Sequence, residues 1–415
     1  MHKAGRYTAA ILLVCVGGAV IADKTMGTHL TAMLADWWPL LFVLLGIEYI
    51  LYNIKFGNSD RQLKLDIGGI IFAVIVAAIV IISTQSGELL KKFNGWTVNG
   101  TIDMMTDGKK FDKGVTAIEL PASVDNVKLD NENGSAVLKS GPVDRLQVDV
   151  KVYVNGVGED EAQTIANESK LEHSVSGNTL NIRAVAKEYE GVGALFGNRK
   201  PRMDLIITLP AQQKVNLDLQ LRNGKIEASG LPLKQRFSGH TTNGEIRLED
   251  LQGELNLVTT NGKVQTHRTA GPLSLESTNG QMEVTDHQGD TTLKSTNGKL
   301  RIDNVTGALQ AETSNGAVTA HGTFKGVKIH STNGAIEVSS SVVDGDWDIK
   351  TSNGKLEIKL PPKGDYRIEG EGGEEHIKTD LPLSIQEDSV KGTVGSGKHT
   401  IKLHTNDRLI IQGSN

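Results

Sequence analysis

Three sets of residues in this chain have types and spacings that could do chemistry. Gly392-Thr393-Val394-Gly395-Ser396-Gly397-Lys398 fits most of a phosphate-binding loop, in which backbone N–H groups cradle the anion and a Ser or Thr after the Lys binds magnesium. Here His399 takes that last place. Thr400-Ile401-Lys402-Leu403 then reads as a strand, so no helix N-terminus follows to hold a phosphate. The histidines (His240, His267, His287, His321, His330, His376, His399, His404) are scattered, whereas metal ligands must converge to about 2 Å from one ion; they read as solvated surface residues. Glu249, Glu283, Asp303 and Glu337 are candidates for a glycosidase pair, which needs carboxyl groups roughly 5–9.5 Å apart. They alternate with Arg247, Lys299 and Arg301, as a solvated face does. These patterns carry no catalytic residue, no metal site and no cofactor, and the chain reads as not an enzyme.

The composition narrows the classes further. In 415 residues there are 46 glycines and only 4% aromatic residues, a bias that many short strands with tight turns would produce. The net charge of −5 gives no reason to expect nucleic acid as a partner. A lone cysteine, Cys15, excludes an intramolecular disulfide, and it reads as a thiol buried in a membrane segment.

The elements that would position any site begin with three apolar runs, at about Tyr7–Ala22, Trp37–Tyr52 and Ile67–Ile82. Each approaches the roughly 20 residues that a membrane-crossing helix needs. Trp37, Trp38, Tyr49 and Tyr52 bracket the second run as interfacial aromatics should. Lys3 and Arg6 precede the first run, and Lys55, Arg61 and Lys64 separate the second from the third. Lys24 is the one Lys or Arg between the first and second. By the positive-inside rule the N-terminus is cytoplasmic and the chain after the third run is extracytoplasmic, with Lys91 and Lys92 as a small exception. Alternatively, the first run is a signal peptide cleaved after Val20-Ile21-Ala22, which leaves that destination unchanged. Glu48, inside the second run, is a candidate intramembrane carboxylate, or one near enough to the interface to reach water.

The rest of the chain repeats. Asn-Gly recurs at Asn223, Asn243, Asn261, Asn279, Asn297, Asn315, Asn333 and Asn353, with five central spacings of 18 residues and outer ones of 20. Three and five residues after each Asn stand mostly apolar residues, such as Ile336 and Val338, with polar ones between. Period two with one apolar side means half-buried strands. Asn-Gly between strands normally marks a hairpin, yet eight hairpins would give about sixteen antiparallel strands where open sheets rarely exceed about ten. A solenoid of stacked coils removes that difficulty. The expected fold is therefore all-β, a β-solenoid of the parallel β-helix or β-roll type with about 18 residues per coil, after an N-terminal helical transmembrane region. In it the asparagines form a turn ladder, each Asn left-handed at its corner and bonded to the next. Arg247, Gln265, Glu283, Arg301, Thr319 and Glu337 form an outward file, the candidate contact ladder.

The expected divisions are residues 1–92 (three helices), 93–221 (an irregular β entry), 222–360 (repeats) and 361–415 (a C-terminal β cap). Within the entry, Glu159–Glu172 has helical spacing, and 191–201 is a glycine-rich loop.

The Ser/Thr-Asn-Gly repeat resembles the bacterial "putative adhesin" family of β-strand-repeat proteins, a domain of unknown function, over roughly Val98–Gln412. The segment from Trp37 to Tyr49 resembles the multi-span modules of Lia-type envelope-stress proteins of Gram-positive bacteria. These resemblances imply a multi-pass cell-membrane protein with an extracytoplasmic module for adhesion or cell-envelope binding, its partner a cell-wall polymer or surface ligand. The alternative they imply is a regulator or sensor of envelope stress that acts through its spans on a membrane signalling protein.

Overall fold

The computed structural model describes residues 3–4, 6–26, 44, 46–48, 50, 64–65, 108–188, 200–373 and 376–414. The chain divides into two compact units, Met1–Met105 and Thr106–Asn415.

In the first unit a helix spans Arg6–Met26 and contains the first apolar run. Cys15 lies on the outer surface of this helix. Strands Lys3–Ala4 and Lys64–Leu65 pair in parallel. Of the second run, residues 44, 46–48 and 50 are helical, and the third run lies outside the described residues. Among the described residues no helix is long and apolar enough to cross a membrane.

The second unit is built of strands because its sequence alternates. Leu146–Val154, for example, is buried at Leu146, Val148, Val150, Val152 and Val154 and partly exposed between. Within the Asn-Gly repeats each strand pairs in parallel with the strand one coil later, largely in register. Val264 faces Met282, Met282 faces Leu300, Leu300 faces Val318, and Val318 faces Ile336. A step of 18 residues in parallel register is a solenoid; hairpins would have paired neighbours head to tail. The strands form two stacks. A first sheet holds the strands that follow each Asn-Gly, and a second holds those that precede it. Their inward files share one core, in which Leu255, Leu273, Leu309, Val327 and Trp347 of the second sheet are buried with Ile246, Met282 and Ile336 of the first. Each such side chain stabilises by about 1.5–3 kcal/mol relative to exposure.

At both ends the coils stack out of chain order. Strand Asn126–Asn133 lies between Val215–Asn223 and Thr179–Val185, and Ala136–Gly141 lies between Ile226–Ser229 and Arg202–Pro210. At the other end His399–Thr405 inserts between Trp347–Thr351 and Tyr366–Glu371. Leu409–Gly413 inserts between Leu356–Leu360 and Ile377–Thr379. The entry expected to be irregular is thus a continuation of the solenoid. Antiparallel strands then close the ends: Lys170–Ser176 on Thr179–Val185, and Ser389–Val394 on Tyr366–Glu371. Such closure denies a long parallel edge to other chains. The helix runs from Glu159 to Glu168, shorter than its spacing suggested, and buries Ala162, Ile165 and Ala166. Lys113 Nζ donates to the carbonyls of Ala166 and Asn167 at 2.9 and 3.2 Å and so serves the helix's last turn.

Candidate functional site

The Asn-Gly corners align into the expected ladder. From Asn243 to Asn353 each side-chain amide donates to the Oδ1 of the asparagine one coil earlier, at 2.7–2.9 Å. The backbone reason differs from the expected one. None of these asparagines is left-handed. The glycine is needed for space: a Cβ on Gly262 would collide with the carbonyl oxygen of Gly244 in the preceding coil. The left-handed residues sit at the opposite corner, at Asp250, Arg268, Asp286 and Asn304, with φ between 49 and 55°. The buried hydroxyl belongs to the residue two before each Asn. Thr241, Thr259, Thr313, Ser331 and Thr351 each donate to the carbonyl of a corner glycine one coil earlier. A ninth corner, Asn133-Gly134, escaped notice because 90 residues separate Asn133 from Asn223, its neighbour in register.

The outward ladder forms one file along the first sheet, with Arg247, Gln265, Glu283, Arg301, Thr319 and Glu337 adjacent in turn. Its charges are largely neutralised from within. Glu283 meets Lys263 at 2.8 Å and Gln265 at 3.1 Å, and Arg301 lies 4.0 Å away. The bond from Lys263 holds the Glu283 carboxyl below its usual range. A general acid needs the opposite shift. Glu337 pairs with Lys359 at 3.1 Å, Asp303 with Arg301 at 3.6 Å, and Glu249 with Arg268 at 2.5 Å. The face offers hydrogen bonds and little net charge.

The other motifs are taken up by the fold. In the glycine loop Asp365 occupies the place of an anion: its Oδ1 accepts from the Ser396 N–H at 2.8 Å, between left-handed Gly395 and Gly397. That bond holds the Asp365 pKa down. His267 and His321 lie three coils apart in one file, with Thr285 and Asp303 between them. His287 was expected at the surface but is fully buried, its Nδ1 2.9 Å from Thr269 Oγ1. Among the described residues no three His, Cys, Asp or Glu could hold a metal. Glu48 is buried and accepts from both the backbone N–H and the hydroxyl of Thr8, at 2.8 and 2.5 Å. Thr8 lies in the first turn of the helix, where N–H groups lack helical partners and a carboxylate is favourable.

The family model described as Toastrack DUF4097 matches residues 143–408, which include the whole Asn-Gly ladder from Asn223 to Asn353. The chain belongs to the Toastrack DUF4097 family. This bears out the adhesin-like β-repeat resemblance and the solenoid-like, all-β character of the repeats. Three solved structures are similar at low identity. One, a "putative cell adhesion protein" from Clostridium sporogenes, shares 14% identity over 74% of this chain and 100% of its own, with a TM-score of 0.25. Another, a "putative lipid binding protein" from Parabacteroides distasonis, shares 13% over 74% of this chain and 98% of its own, with a TM-score of 0.33. A "putative adhesin" from Bacteroides fragilis shares 11% over 74% and 97%, with a TM-score of 0.25. No curated protein matches the chain.

Proposed function

We propose that the Toastrack solenoid is an extracytoplasmic binding or scaffolding module, held at the cell membrane by the apolar runs that precede residue 92, and that it acts without catalysis. The observation that carries this reading is the repetition of polar side chains, one per coil, along a rigid outer face. Neighbours in such a file stand about 4.8 Å apart, a spacing that suits an extended polymer of the cell envelope. The ladder from Arg247 to Glu337 is one such face. The test is co-sedimentation of the full-length protein, in detergent, with purified wall sacculi and with intact cells. Saturable pelleting is the expected result, and pelleting no greater than for an unrelated membrane protein overturns the reading. Protease added to intact cells should cut the solenoid; complete protection would place it inside.

The second reading is a regulator of envelope stress, in keeping with the Lia-type resemblance of the second run. One observation favours it: the bonds from Thr8 to Glu48 tie the first two apolar runs together, as a folded membrane module would and a bare anchor need not. Replacing residues 1–92 with an unrelated anchor separates the two. A binding module keeps its activity, whereas a regulator loses its response.

A further inference from the structure

We infer that the outer face of the second sheet carries a groove for a linear, uncharged polysaccharide lying along the stacking axis. The inference rests on the binding function proposed above and names its ligand class. The groove has a volume of about 790 Å³ and crosses the strands from Thr291 to Glu369. Its concavity has a cause in the sequence. Ala308 and Gly326 stand side by side in register on the lining, and neither has a side chain beyond Cβ to fill the space. On either side of them are Asp290 and Asp346, each committed to the backbone. Asp290 Oδ1 accepts from the Ala308 N–H at 3.0 Å, and Asp346 Oδ1 from the Thr400 N–H at 2.8 Å.

Beside this floor runs an unbroken outward file: Thr292, Gln310, Lys328, Asp348, Lys402 and Glu369. Its members are about 4.8 Å apart, close to the length of one sugar ring in an extended glycan. From Lys328 onward the file alternates between donor and acceptor: ammonium, carboxylate, ammonium, carboxylate. A hydroxyl donates and accepts, so a polyhydroxylated chain can satisfy every rung. A polyanion would satisfy the lysines and meet Asp348 and Glu369 as like charges. The existing ties are exchangeable. Asp348 pairs with Lys350 at 3.2 Å and Glu369 with Arg367 at 3.4 Å, with side chains 41–53% exposed, and such pairs contribute little. Among the described residues Lys328 and Lys402 have no ion-pair partner.

The test uses full-length protein in detergent and four probes: cellohexaose and chitohexaose as neutral glycans, a galacturonate hexamer and linear hexaphosphate as anions. Calorimetry should show saturable binding of a neutral hexasaccharide, weaker by roughly tenfold or more in Ala308→Arg, whose new side chain fills the groove from an exposed position. Binding of anions alone, or of no probe, overturns the inference. So does equal affinity of wild type and Ala308→Arg for the neutral probe. Should Ala308→Arg melt at a lower temperature, Lys328→Ala/Lys402→Ala decides, and unchanged affinity there is contradictory. Ala308→Arg that still pellets with sacculi as wild type does removes the groove while leaving the binding module intact. Wild type that fails to pellet removes the module itself.

Discussion

At the Asn-Gly corner of a coil, Gly262 has an ordinary φ but no room, because the preceding coil's carbonyl lies where a Cβ would be. At the opposite corner Arg268 has φ 49° and its side chain reaches outward, with Nε 2.6 Å from Asp250. The Asn-Gly position is constrained by its neighbouring coil and the Arg268 position by its own backbone, although three residues later Gly271 again lacks room against the carbonyl of Gly253. A neighbour constraint recurs identically on every coil, since each coil is the next one's neighbour. A backbone constraint asks only for left-handed φ, which Asp250, Asp286 and Asn304 supply with short polar side chains. That is why the Asn-Gly corner spells the same two letters throughout while the left-handed position varies among Asp, Arg and Asn.

The scale for breaking either corner is set by the core they share. Ile336→Asp buries an unpaired charge and should cost more than about 4 kcal/mol, whereas Glu337→Lys, on the outward file, should change stability by about 0.5 kcal/mol or less. Equal thermal melts would contradict the inside–outside assignment. Gly262→Ala comes next, at about 3 kcal/mol, because two backbones must part; urea unfolding reads it as a lowered midpoint. Asn297→Ala removes one rung's donor and acceptor and should cost about 1–2 kcal/mol in the same assay. Asp286→Gly sharpens the contrast, since relief of a left-handed φ should offset the loss of the bond from Asn304, leaving stability within about 1 kcal/mol.

The smallest effect belongs to His287, which follows that corner. Burial lowers its pKa from the ordinary 6.5, opposed in part by the carbonyls of Gly271 and Thr269. The unfolded chain therefore binds the proton first. Its contribution is present in full above about pH 6.5 and is lost as pH falls towards the folded-state value. His287→Leu, matching Leu251 two coils earlier in the same file, should flatten that slope in pH-dependent melts.

The repeat, the strand period and the asparagine ladder were legible because each is a local pattern renewed every 18 residues. What was not legible depends on chain segments far apart. Nothing near Asn133 says that it neighbours Asn223, nor does Thr405 announce its bond to the Gly354 carbonyl, 51 residues away. Both positions before each Asn from Asn243 onward are Ser or Thr, and only packing tells which hydroxyl is buried. His287 looked like a surface residue because its file bends at left-handed Asp286, which breaks the alternation of inward and outward positions. The groove depended on Lys402 joining the face that Ala308 and Gly326 hollow, which it does only through the inserted final coil.

The most direct test of the stacked coil is hydrogen exchange at the corner amides. The N–H groups of Asn279, Asn297 and Asn315 each donate to a carbonyl of the preceding coil, at 2.8–2.9 Å, although their side chains face solvent. A stacked solenoid predicts that these turn amides exchange as slowly as those of the flanking strands. Exchange at the free-peptide rate, as at the tip of a hairpin, would contradict it.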